Sequence, residues 1–114
     1  MNKVFLTGRL TKDVDVKYTQ NQKAIVRFTL AVDRRSKEKE ADFISCMAWE
    51  HIAELMGKYL AKGSKISVIG HIQTGSYDGQ NGKVYTTDVV VDELEFLDPK
   101  KDETKPDDSD ELPF

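Results

Sequence analysis

Apolar and polar residues alternate along most of this chain, and that period of two predicts strands. Val4-Phe5-Leu6-Thr7-Gly8-Arg9-Leu10 is β-rich, with a glycine inside it that suggests a bulge or tight bend. Asp15-Val16-Lys17-Tyr18-Thr19 continues the alternation, and Gln20-Asn21-Gln22-Lys23 is a polar turn. Ala24 to Val32 predicts a long strand with Val26, Phe28 and Leu30 on one face. Asp33 to Glu40 is a charged loop. Asp42 to Trp49 then places Ile44, Cys46 and Ala48 on one face and Phe43, Ser45, Met47 and Trp49 on the other.

The period changes once. Ile52, Leu55, Met56, Tyr59 and Leu60 follow the i, i+3, i+4, i+7, i+8 spacing of a helical stripe, and Gly63 stands where a C-cap is expected. Alternation returns from Ser64 to Thr74, passes Ser76-Tyr77 and the hairpin signal Asp78-Gly79-Gln80-Asn81-Gly82, and ends with Val84 to Leu97. The order is strand, strand, strand, helix, strand, strand. Short edges and internal glycines favour a closed barrel over an open sheet. An all-β, five-stranded Greek-key barrel with one helix between its third and fourth strands fits the OB-fold. An unrelated small β-barrel fits the same pattern.

The length of 114 residues predicts one domain. No stretch approaches the roughly 18 apolar residues of a membrane span, and Met1 to Arg9 reaches a charge too early for a signal peptide. The expected location is cytoplasmic. Cys46, the single cysteine, excludes an internal disulfide or a cysteine-based zinc ribbon, and His51 and His71 offer little for a metal site. No cofactor and no metal are expected.

The net charge of −3 argues against a nucleic-acid partner until its distribution is considered. Residues 98–114 carry seven acids and three lysines, net −4, which leaves +1 for residues 1–97. Residues 98–110 have no apolar side chain except Pro99 and Pro106, so this tail is expected to be disordered. It then ends in Leu112-Pro113-Phe114. An apolar anchor behind the acids Asp107, Asp108, Asp110 and Glu111 looks like a peptide ligand for a basic pocket.

Catalysis finds little support. No phosphate loop matches the P-loop spacing, and Cys46 lies on the core-patterned face of its strand. The chain is expected not to be an enzyme. Binding finds more. Phe43 and Trp49 share a strand face, Tyr77 flanks a hairpin, and Arg34, Arg35, Lys37 and Lys39 crowd one loop. Lys58, Lys62 and Lys65 surround the helix end, and Lys83 follows the hairpin. Rings that stack on bases, interleaved with cations for phosphates, are what a single strand requires. Stacking contributes roughly 1–3 kcal/mol per base, so three rings give about 3–9 kcal/mol gross.

These residues resemble the bacterial and phage single-stranded DNA-binding proteins. The likeness runs through Asn2-Lys3-Val4-Phe5-Leu6-Thr7-Gly8-Arg9-Leu10-Thr11-Lys12-Asp13, Phe28-Thr29-Leu30-Ala31 and Lys58 to Ser64. Tyr85 to Val91 and the ending Asp107 to Phe114 continue it. The resemblance implies an OB-fold domain over 1–97 that wraps single-stranded DNA as a homotetramer. It also implies a linker at 98–106 and a tip at 107–114 that docks on replication, recombination and repair proteins. The family's stacking aromatics fall on Phe43, Trp49 and Tyr77. A fourth ring of the family is replaced here by Ser36, and the often basic positions before Tyr77 are Gln73, Gly75 and Ser76. These departures predict weaker or more salt-sensitive binding. A linker of about nine residues reaches roughly 15–18 Å on average, which would keep partners close to the barrel. A protein–protein adaptor on the same fold is the rival, and a nuclease a more distant one.

Overall fold

The computed structural model describes residues 1–35 and 39–98. Ser36, Lys37, residues 99–106 and the tip at 107–114 lie outside the described residues. The elements follow as β1 (Val4–Leu10), β2 (Lys17–Tyr18), β3 (Ala24–Asp33), β4 (Ala41–Trp49), α1 (Glu50–Tyr59), β5 (Lys65–Gly79) and β6 (Gly82–Phe96). They form one sheet in the order β1-β5-β6-β4-β3-β2, and a further β1–β3 pairing closes it into a barrel. This is the OB-fold.

Two junctions close the barrel. Along β1, Val4 to Arg9 pair with β5, while Arg9 and Leu10 also pair with Ala31 and Leu30 of β3. Between β4 and β6 the pairing is parallel, Cys46 with Val89 and Met47 with Val90. The alternation of each strand then sends one face inward. Val26, Leu30, Ala48, Ile66 and Met56 have no exposure, and Cys46, Val68, Val89 and Val91 are buried with them.

Three details depart from the pattern. The sheet has six strands, and α1 follows the fourth, because Lys17–Tyr18 pairs with Ile25 and Ala24 as a short strand of its own. Within α1 the buried residues are Ala53 and Met56, while Tyr59 is half exposed and its ring lies 5.8 Å from Phe96. A stripe drawn through large side chains passes over Ala53, whose small size lets the helix sit close to the barrel. The helix also ends before Gly63. Leu60 is its C-cap, in extended conformation, and its N–H donates to the Met56 carbonyl. Gly63, at φ +88, belongs instead to the turn that follows, where the Ser64 N–H donates to the Ala61 carbonyl at 3.0 Å. Among the described residues no helix is long and apolar enough to cross a membrane.

Candidate nucleic-acid interface

The site begins with the outward face of β4. Cys46 and Ala48 point into the core, so their neighbours Phe43, Ser45, Met47 and Trp49 take the other face. Phe43 is 69% exposed and Trp49 37%. Two large rings left in water on one face of a strand whose other side is core are candidates for contact with a ligand. Met47, between them, is buried, flanked in the sheet by Arg27 and Val90. It supports the surface and does not serve as a platform. Trp49 is the last residue of its strand. Directly after it Glu50 adopts φ 53, a left-handed conformation that turns the chain sharply into α1 at a local cost of about 1–2 kcal/mol.

Register carries this face to the hairpin. Met47 pairs with Val90, and Val90 with His71. Paired residues share a face, and so do residues two apart along a strand. Stepping outward along β5 and β6 gives Gln73 with Asp88, Gly75 with Thr86 and Tyr77 with Val84. Tyr77, 58% exposed, therefore shares the face of Phe43 and Trp49. Tyr77 lies six residues past His71, about 20 Å along the strand. The three aromatics expected from the sequence are brought onto one surface.

The cations are distributed differently. Arg34 holds the neck of the β3–β4 loop. Its Nη1 donates to Glu40 Oε1 at 2.8 Å and its Nε to Asp42 Oδ1 at 2.9 Å, while its N–H donates to the Glu40 carbonyl. Two carboxylates already occupy that guanidinium. Arg35 is exposed on the same loop, and Lys37 falls outside the described residues. Lys62 and Lys65 stand at the opposite end of β5 from Tyr77. The Lys62 N–H is held by Asp13 Oδ1 at 2.8 Å, and Lys65 pairs with Arg9. Lys83 pairs with Asp78 near the hairpin tip, on the face opposite Tyr77.

Two cations on the aromatic face were not expected from the sequence, Arg27 and Lys17, the latter pairing with Ile25 beside Trp49. Arg27 pairs with Met47, one step from Trp49, and its side chain is 67% exposed. Its Nη1 lies 3.9 Å from Asp88 Oδ2, a long contact that leaves most of the guanidinium in water. The signal was present, since Arg27 lies between the core residues Val26 and Phe28 and so must face outward. Only the β3–β4 pairing puts it beside the rings. A cleft of about 340 Å³ opens beside it, lined by Lys12 and Arg27 but also by Asp13, Asp15 and Asp88. Three acids make that cleft a poor phosphate seat.

The Cys46 thiol is pushed up to about 12, first by burial and then by the negative charge of Asp88, so it stays protonated and unreactive at neutral pH. His71 Nδ1 lies 3.0 Å from Asp92 Oδ2.

Comparison with known proteins adds an independent line. The model of the single-strand binding protein family matches residues 1–97. A single-stranded DNA-binding protein of Bacillus cereus is 50% identical over 105 residues, covering 88% of this chain and 62% of that protein. One from Clostridium perfringens is 50% identical over 100 residues, covering 86% of this chain and 67% of that protein. Single-stranded DNA-binding protein A of Bacillus subtilis is 46% identical over 105 residues, covering 88% of this chain and 61% of that protein. The match thus spans about three fifths of the Bacillus proteins' length.

Proposed function

The chain belongs to the single-strand binding protein family, and we propose that it binds single-stranded DNA without regard to sequence. The observation that carries this reading is the shared face of Phe43, Trp49 and Tyr77, with Arg27 among them. Unpaired bases stack on the rings, because every base has a π-face. Arg27 and the loop cations Arg35 and Lys37 take phosphates and release counterions. Lys83 can approach the strand around the hairpin tip. Lys62 and Lys65 join if the strand wraps to the far end of β5.

The same proposal includes assembly. Val4 to Gly8 pair with β5 on one side only, among the described residues, and Phe5 on that strand is 70% exposed. An open strand edge with an exposed ring suits pairing with a second copy, which supports a homo-oligomer and, from the resemblance, a tetramer. We assign residues 1–97 to DNA binding, 98–106 to a linker and 107–114 to recruitment of replication, recombination and repair proteins.

The test is a titration with oligo-dT that follows Trp49, the only tryptophan. Its fluorescence is expected to quench and to saturate at a defined number of nucleotides. No quenching together with no gel shift overturns the proposal. Salt dependence tests the cations individually. A single-strand contact contributes about 0.7 to the slope of log affinity against log salt. Arg27→Gln is expected to flatten the slope by about 0.7. Arg34→Gln is expected to leave it unchanged, since Glu40 and Asp42 already neutralise that guanidinium. Equal flattening by both variants contradicts this division of roles.

A further inference from the structure

The outer half of the β5–β6 hairpin stands beyond the barrel. On one side β1 pairs with β5 no further than Gly70. On the other side β4 pairs with β6 only at Val89 and Val90. From Gln73 and Asp88 outward the arm is two-stranded, and a two-stranded ribbon holds its direction poorly without support at its base. Tyr77 rides on this arm.

One residue ties the arm down on the β1 side. Asn2 lies two residues before Val4, and Ile72 two residues after Gly70, so they occupy the next alternate position of the β1–β5 register. No ladder pair forms there. The Asn2 side chain replaces it: Nδ2 donates to the Ile72 carbonyl at 2.8 Å, and the Ile72 N–H donates to Asn2 Oδ1 at 2.9 Å. A carboxamide is one peptide group on a short stem, so it extends the sheet by one amide after the backbone has left it. Both backbone groups of Ile72 point toward β1. The amides of Gln73, Gly75 and Tyr77 therefore face β6.

The same level of the arm carries two further ties. Asp92 is the extra residue where the β5–β6 register shifts between Ile69 and Gly70, and its carboxylate meets His71 at 3.0 Å. On the other edge Asp88 meets Arg27 at 3.9 Å. The His71–Asp92 tie joins β5 to β6 within the hairpin itself, whereas the Asn2 tie joins the strand that bears Tyr77 to the β1 side of the barrel, by two short bonds between backbone and side chain. Tyr77 lies five residues beyond it, about 17 Å along the strand. A tilt of roughly 10° at the base moves the ring by about 3 Å over that lever, nearly the thickness of a stacked base.

We propose that Asn2 is a positioning residue for Tyr77: its doubly bonded carboxamide fixes the base of the arm and so the place of the ring on the binding face. The proposal rests on the DNA-binding reading of that face, and two measurements keep the two apart. The first needs no DNA. Asn2→Ala in the full chain is expected to speed amide exchange severalfold at Gln73, Gly75 and Tyr77 while leaving Leu30 and Val68 unchanged. Acceleration confined to Ile72, whose own bond is removed, overturns the proposal. The second is a double-mutant cycle on oligo-dT. Asn2→Ala is expected to weaken binding about three- to tenfold in the wild-type background and not at all in Tyr77→Ala. An equal loss in both backgrounds, or none in either, overturns the positioning role. Asn2→Asp keeps the acceptor for the Ile72 N–H but sets a carboxylate against the Ile72 carbonyl, and it is expected to resemble Asn2→Ala. If the wild-type chain binds no oligo-dT, the DNA-binding reading fails and the exchange measurement alone decides whether Asn2 holds the arm.

Discussion

Replacing both Phe43 and Trp49 by alanine is expected to lower the affinity for oligo-dT by between roughly 30-fold and 20,000-fold. Each ring contributes about 1–3 kcal/mol of stacking by alanine substitution, and every 1.4 kcal/mol is a factor of ten. The two rings lie on β4 six residues apart, about 20 Å along the strand, so they hold different bases and their losses should add. Folding should change little at Phe43, since it is already 69% exposed, and somewhat more at Trp49, which is 37% exposed. A labelled oligo-dT read by anisotropy checks the affinity, because the variant has no tryptophan, and circular dichroism checks the fold. The salt slope is expected to stay as in the wild type, since the variant keeps all the cations. An unchanged affinity would favour the adaptor reading, in which this face has no nucleic-acid ligand. A lost affinity with a flattened slope would mean that the strand had shifted off the phosphate contacts as well.

The legible part of this site was the part that alternation controls. Phe43 and Trp49 could be placed opposite Cys46 and Ala48 from sequence, because a strand's two faces follow from counting by two. The closed barrel followed from strands, glycines and a single helix. What stayed hidden depends on which strands pair and in what register. Arg27 joins the aromatic face only through its pairing with Met47, and Arg34 leaves the pool of free cations only because the loop returns Glu40 and Asp42 to it. Within the sequence Arg34 and Arg35 are alike; the hydrogen bonds of the loop neck separate them. Charge alone places Lys62 and Lys65 with the interface, yet they stand at the end of β5 remote from Tyr77. Ala53 escaped the helical stripe because a methyl group adds little to a hydrophobic pattern, although a close helix–sheet contact favours it. Nothing local in the sequence marks Asn2, because its bonds to Ile72 span 70 positions of sequence.

Gly8→Ala is expected to lower the stability of the barrel by about 2–3 kcal/mol, measured as a fall in the urea midpoint with an unchanged slope. Gly8 is buried one residue before β1 begins to pair with β3. A Cβ added at Gly8 runs into the Ala31 carbonyl oxygen and meets its carbon at 2.9 Å, with Leu30 Cγ at 3.1 Å. Carbon atoms in good contact lie at about 3.5–4.0 Å, and a backbone carbonyl cannot rotate aside as a side chain can. Relief requires β1 and β3 to separate by about an ångström, and the pairs that would open are Arg9 with Ala31 and Leu10 with Leu30, which close the barrel. Alanine also gains about 0.4–1 kcal/mol by restricting the unfolded chain, so the contact must cost more than the net loss observed. Gly75 separates the two terms. A Cβ there meets only Thr86 Oγ1, at 3.2 Å, the end of a side chain that can turn. Gly75→Ala should therefore hold the midpoint level or raise it. If both alanines raise the midpoint, the β1–β3 junction is more yielding than its geometry implies, and the barrel must draw its closure from the β4–β6 side.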